Sequence, residues 1–270
     1  VDISANPLGK WQTRLAASYT AWHTDYSLFC TSYLSNLPPS HFLVKEFEVH
    51  RAATLALYHA AHILLHTPFL DLQIYAGSHH ILGRPVARTD YVRSQRTVKQ
   101  WVKENVAEAG NAMWHAAALV SQGTDVLDGD VGGHEVGGGR LWHHAWAMYL
   151  GALVIWGVWY ARPVTHVPVA EPMPPSAAYE DEEEDDIIWD PRAEMDALLE
   201  KIAASEPQRL LEAGCVDGIA VGLGKRGTNG LAAVVSRCLS KVRWAVVHDG
   251  MMVLRGLVQW RLVGGGGNFA

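Results

Sequence analysis

The stretch HRAATLALYHAAHILLHTPFLDLQIYAGSHHILGRPVAR, residues 50 to 88, decides the fold class. From Val49 to Leu65 apolar residues occupy nearly the whole helical circumference, among them Ala53, Leu57, Tyr58, Ile63 and Leu64. A helix with so little polar face needs neighbours on several sides, so it reads as a core helix. Pro68 lacks an amide hydrogen and disfavours the α conformation at Thr67, which forces a kink or restart. Phe69, Leu70, Leu72, Ile74 and Tyr75 then supply a second apolar turn ending near Gly77. The other helices are expected to pack against this hairpin.

Upstream, Trp11, Tyr19, Trp22, Tyr26, Phe29 and Tyr33 fall at loosely helical spacing before Pro38-Pro39, which predicts one or two moderately amphipathic helices. Downstream, Leu82-Gly83-Arg84-Pro85 reads as a turn, and Thr89 as the N-cap of a helix reaching Trp101 or Asn105. Arg93, Arg96, Lys99 and Lys103 give that helix a solvated basic face. Ala107 to Gln122 is a further helix. The glycine-rich GTDVLDGDVGGHEVGGG, residues 123 to 139, reads as a surface loop, and its Asp125, Asp128 and Asp130 lack the ordered ligand set of a calcium loop.

Residues 141 to 161, LWHHAWAMYLGALVIWGVWYA, carry no formal charge. At ~1.5 Å per residue they would just cross a ~30 Å bilayer core, with tryptophans toward both ends. His143, His144, Gly151 and Gly157 speak instead for a buried helix of a large all-α domain. Residues 162 to 189 turn proline-rich and then acidic. Mutual repulsion among the seven consecutive acids from Glu180 to Asp186 predicts an extended, disordered insertion. Ile187, Ile188 and Trp189 follow them directly, and acidic segments with apolar anchors fold onto grooves of partner proteins, so these three are the candidate partner-binding residues. Asp190-Pro191 starts a helix through Met195, Leu198, Leu199 and Ile202. Pro207 to Glu212 forms a short turn, and GLGKRGTNG lacks the spacing of a phosphate-binding loop. Thr228 opens a long helical region to about Leu257, with Gly250 as its interruption, before a flexible GGGGN tail.

The chain has 270 residues, 49% of them hydrophobic, enough for the core of one large domain. Its first residue is Val, which suggests a segment of a longer protein. Cys30, Cys215 and Cys238 are far apart and without metal spacing, so they read as buried thiols in a reducing compartment. Of the 28 acidic residues, nine lie in residues 171 to 190, which leaves 22 basic against 19 acidic elsewhere. A nearly neutral body has no nucleic-acid footprint.

Fourteen histidines are the compositional anomaly. His62 and His66 have a spacing that can place two imidazoles on one metal, but from His59 to His66 the helix rises ~10.5 Å, too far for all three to reach one ion. His79-His80 and His143-His144 fail as HxxHH boxes because Ala76 and Arg140 stand where a histidine is needed. Core or helix-end histidines are the plain reading. The rival is a histidine-ligated metal enzyme, membrane-associated, built on His62, His66 and the pairs. There is no GxSxG, no cysteine with a neighbouring histidine and no carboxylate pair in an apolar context. No catalytic, cofactor-binding or metal-binding residue is therefore assigned.

LYHAAHILLHTPFLDLQIYAGSHHILGRPVARTDYVRSQRTVKQWVKE, residues 57 to 104, resembles the fungal-specific transcription factor domain. This is the all-α middle homology region of fungal zinc-finger regulators. WHAA at 114 to 117, the WxxYLGALVIW pattern at 146 to 156, WDPRAEM at 189 to 195 and LSKVRWAVVHDGMMVLRGLVQWRL at 239 to 262 extend the resemblance in order. It is strongest to the version attached to fingers with two cysteines and two histidines. The resemblance implies an interior helix at 141 to 161, no membrane contact, and a non-catalytic regulatory domain in the nucleus. It places zinc and the DNA contact in modules outside this segment, which itself has no finger and no cofactor. The implied partners are the transcription machinery or co-regulators, a second copy in a homodimer, or a small-molecule effector. The expected organisation is one all-α domain: N-terminal and central helices in 1 to 162, a linker over 163 to 189, C-terminal helices over 190 to 262 packing on the same domain, and a tail over 263 to 270.

Overall fold

Nine helices and a two-stranded ribbon make up the described residues, 8–128, 142–162, 189–207, 209–211 and 227–258, in the computed structural model of the chain. Local chemistry sets several of their ends. α1 (Leu8–Ser35) stops ahead of Pro38-Pro39, and α2 (Phe42–His66) begins after His41, whose ring Nδ1 accepts the Leu43 amide hydrogen at 3.2 Å. α2 ends at the Thr67-Pro68 step and α3 (Phe69–Tyr75) restarts the helix. Leu82 and Gly83 both adopt positive φ, 50° and 76°, the twist that a two-residue hairpin between β1 (His80–Ile81) and β2 (Arg84–Pro85) favours.

α4 (Arg88–Glu104) starts one residue before Thr89. The Asp90 carboxylate, three residues past Ala87, accepts the Ala87 amide hydrogen at 3.1 Å and so closes this end in place of the Thr89 hydroxyl. α7 (Pro191–Ala203) is capped as expected: Asp190 Oδ1 accepts the amides of Arg192 and Ala193 at 2.9 and 3.2 Å. α8 (Asn229–Ser240) begins after Thr228.

α6 (Trp142–Ala161) is the centre of the molecule, with α2, α3, α4, α5 (Val106–Asp128), α8 and α9 (Ala245–Leu257) around it. Met148, Leu150, Leu153, Val154, Ile155 and Val158 keep no exposed surface. Its glycines are points of close approach. A Cβ on Gly157 would come 2.3 Å from Leu72 Cδ2, and one on Gly151 3.2 Å from Leu119 and Val120 side chains. No described helix is long and apolar enough to cross a membrane. Met195, Leu198 and Ile202 of α7 and Val234, Cys238 and Leu239 of α8 join the same core as α6.

Three expectations are corrected. α2 is not enclosed: only Ala53, Ala56, His59 and Ile63 are buried, while Leu57 and Leu64 are each 49% exposed, because none of the described helices covers that flank. α5 does not stop at Gln122 but runs to Asp128, since Gly123 lets α6 come close; a Cβ there would lie 2.3 Å from Met148 Sδ and 2.8 Å from His144 Nε2. Gly250 does not interrupt the last helical region. It lies inside α9 against the Tyr149 ring, and the break falls at residues 241 to 244, where the chain turns so that both α8 and α9 can lie on α6. Cys30 and Cys238 are buried. The stretches expected as loop over 129 to 139, linker over 163 to 188 and tail over 263 to 270 lie outside the described residues, as does Cys215.

Candidate functional site

Of the three candidate partner-binding residues, Ile187 and Ile188 lie outside the described residues and Trp189 is described. Trp189 is half-buried. Its indole Nε1 donates to Glu194 Oε2 at 2.8 Å, and the other oxygen of that carboxylate, Oε1, accepts the Gly230 amide hydrogen at 2.8 Å. Glu194 thus joins three pieces of chain: the residue that ends the acidic stretch, the first turn of α7 and the first turn of α8. The last contact places a carboxylate where the helix leaves amide hydrogens unpaired and its dipole is positive. Gly230 is required there, because a Cβ would sit 2.5 Å from the Pro191 carbonyl oxygen. Sequence reading identified Trp189 as an anchor but missed Glu194 and Gly230, which lie 36 residues apart.

His59, His62 and His66 of α2 face α1 and α5. His59 Nδ1 and His115 Nδ1 lie 3.0 Å apart, so one ring donates and the other accepts, and the contact has room for a single proton. His62 stacks on His115 with centroids 4.2 Å apart and rings 5° from parallel. Tyr58 closes the group, stacked on His23 of α1 at 4.5 Å and edge-on to His62 at 4.8 Å. At the far end His66 Nδ1 lies 3.7 Å from Glu108 Oε1. Burial pushes the His115 imidazole down to about 2, with His62 and His59 adding to the effect, and His59 down to about 4, with His23 and His62 adding. Burial and the neighbouring His66 lower His62 as well. At neutral pH His59 and His115 are therefore uncharged, held by stacking and one shared hydrogen bond.

The HxxxH pair of α2, His62 and His66, gains no third ligand among the described residues. Among the described residues no three His, Cys, Asp or Glu side chains converge as ligands. His115 is the partner that sequence reading did not connect, since only the packing of α5 on α2 brings it there. The two histidine pairs sit elsewhere. His143 Nε2 lies 3.1 Å from the Ala53 carbonyl oxygen, while His144 is buried, and burial next to His143 lowers it to about 4. His79 and His80 are exposed at the rim of a cleft of about 500 Å³ between the end of α3 and α9, with Asp249 and Met252 opposite.

The structural class is thus an all-α bundle whose polar groups tie helices to one another. Comparison with known proteins adds the lineage. Over 251 residues, 93% of the chain, it is 30% identical to a nicotinate catabolism cluster-specific transcription factor of Emericella nidulans. Over 155 residues, 57% of the chain, it is 32% identical to the zinc finger protein klf1 of Schizosaccharomyces pombe. The chain spans 24% and 17% of the lengths of these two relatives. No protein-family model and no solved structure matches it. The chain is homologous to a part of fungal transcription factors.

Proposed function

We propose that this chain is the non-catalytic regulatory region of a fungal zinc-finger transcription factor, acting in the nucleus through the transcription machinery or co-regulator proteins. The observation that carries the reading is the similarity over 93% of the chain to a fungal transcription factor. In this reading zinc and the DNA contact belong to modules elsewhere in the parent protein, where the name of the second relative also points. Ile187, Ile188 and Trp189 are the residues proposed to meet a partner, as apolar anchors behind the acids. The Trp189–Glu194 hydrogen bond supports a role for that end of the segment, because it sets the point from which the acidic stretch departs.

The test is a fusion of residues 1 to 270 to a heterologous DNA-binding module, read on a reporter gene. The chain should change reporter output, and replacing Ile187 and Ile188 with Ala should remove most of that change at equal protein level. A reporter unmoved by the intact chain defeats the regulatory reading. A reporter moved equally by the double variant removes only the partner site.

A further inference from the structure

We propose that the outer face of the α1–α2 hairpin is a homodimerisation surface, on which two copies of the chain pack their hairpins antiparallel into a four-helix bundle centred on Trp22. α1 is 28 residues long and buries only Cys30 among its described side chains. It lies antiparallel on α2, as Gln12 bonding the Leu65 carbonyl, Tyr19 against His62, Trp22 against Tyr58 and Tyr33 against Phe47 show. Leu15, Trp22 and Phe29 recur every seventh residue, so they form one stripe. His23, one residue and about 100° further round, turns toward the imidazoles of α2 and α5. Trp22, on the other side of the row of α1 that meets α2 (Gln12, Tyr19, Tyr33), touches Tyr58 only at 6.1 Å, stacks on Tyr26 and stays 42% exposed. Leu57 and Leu64 of α2 also repeat at seven, and they belong neither to the row that meets α1 (Phe47, Tyr58, His62) nor to the buried row (Ala53, Ala56, His59, Ile63), so they fall on the remaining, exposed side of α2.

Phe29 is 54% exposed, Trp22 42% and Leu15 37%. With Leu57 and Leu64 they offer apolar surface on the order of 400 Å² per copy, aromatic side chains presenting ~150–250 Å² each when bare. A standard interface takes ~800 Å² from each partner, a little over half of it apolar, so the face is near the size a stable dimer needs. The stripe is self-complementary about Trp22: an antiparallel two-fold sets Leu15 against the partner's Phe29 and Trp22 against the partner's Trp22. In the antiparallel register Arg14 lies five residues, about 7.5 Å along the axis, from the level of the partner's Asp25, whereas parallel packing would set Arg14 level with Arg14 and Asp25 level with Asp25. The inference stands on hairpin geometry and does not depend on the regulatory reading.

The experiment is sedimentation equilibrium of the 270-residue chain through the micromolar range, together with cysteine cross-linking. The wild type should approach the dimer mass, and Trp22→Asp should weaken association by about 30-fold or more, as loss of a central hot spot does, with helix content unchanged and a melting temperature that no longer rises with protein concentration. In a background with Cys215 replaced by Ser, Trp22→Cys should cross-link across the two-fold under mild oxidation. Thr24→Cys, on the far side of α1, should not. A chain that stays monomeric overturns the pairing and leaves the face to another segment of the parent protein or to a different protein. A dimer indifferent to Trp22→Asp, or equal cross-linking of the two cysteine variants, overturns it as well.

Discussion

Helices α2 and α6 are written in the same alphabet and meet different fates. Both are apolar round most of their circumference, yet in α6 Met148, Leu150, Leu153, Val154, Ile155 and Val158 are sealed from solvent, while α2 buries four residues and leaves Leu57 and Leu64 half bare. The difference lies outside the helices. Among the described helices, α6 is ringed by α2, α3, α4, α5, α8 and α9, whereas α2 is held by α1, α5 and α6 and has one flank without a neighbour. Apolar residues around a helix measure what it is able to bury, and the number of neighbours decides what it does bury.

The sharpest way to break this contrast is to empty one leucine in each helix. Leu153→Ala should cost about 2–5 kcal/mol, because a rigid core only partly closes the cavity, and Leu57→Ala less than about 0.5 kcal/mol. Urea unfolding at a concentration where the chain is monomeric measures both, and equal losses would put α2 in the core after all.

The imidazoles between α2 and α5 sharpen the contrast from the polar side. Unfolded histidines take up protons near 6.5, while His59 in the fold resists down to about 4 and His115 to about 2. The unfolded chain binds more protons in that window, so stability is full above pH 6.5 and falls as the pH drops toward 4. At ~1.4 kcal/mol per pH unit, His59 accounts for a loss of roughly 3 kcal/mol. His59→Gln should flatten that slope relative to wild type, and an unchanged slope would mean that the ring is reached by water.

Two glycines give the smallest and most local comparison. Gly230→Ala drives a Cβ toward the Pro191 carbonyl oxygen between α7 and α8 and should cost about 1–3 kcal/mol. Gly256→Ala on α9 meets open space and should stabilise by about 0.5–1 kcal/mol, since alanine loses less backbone freedom in a helix. Melting temperatures moving in the same direction would show that the seam between α7 and α8 is looser than it looks.

Much of this architecture is legible along the chain. The Thr67-Pro68 break, the Leu82-Gly83 turn and the Asp190-Pro191 start follow from residues acting on their own backbone. The misreadings share another cause. Gly123 and Gly250 look like interruptions in sequence and are close contacts in space, with Met148 and His144 in one case and Tyr149 in the other. The candidate site divides the same way: Trp189 stands out behind the acids, but Glu194 as its partner, and His115 as the partner of His59, become visible only when α7 meets α8 and α5 meets α2.

The sequence by itself determined that the chain is helical, where most helices begin and end, and that it resembles fungal regulators, because caps, prolines and apolar spacing act within a few residues. Only the tertiary structure decided that α6 and not α2 is the central helix, that five histidines draw together without a metal-ligand set among the described residues, and that the α1–α2 hairpin keeps an apolar flank. Burial is set by which surfaces meet, and an apolar side chain carries the same spacing whether or not another helix lies over it.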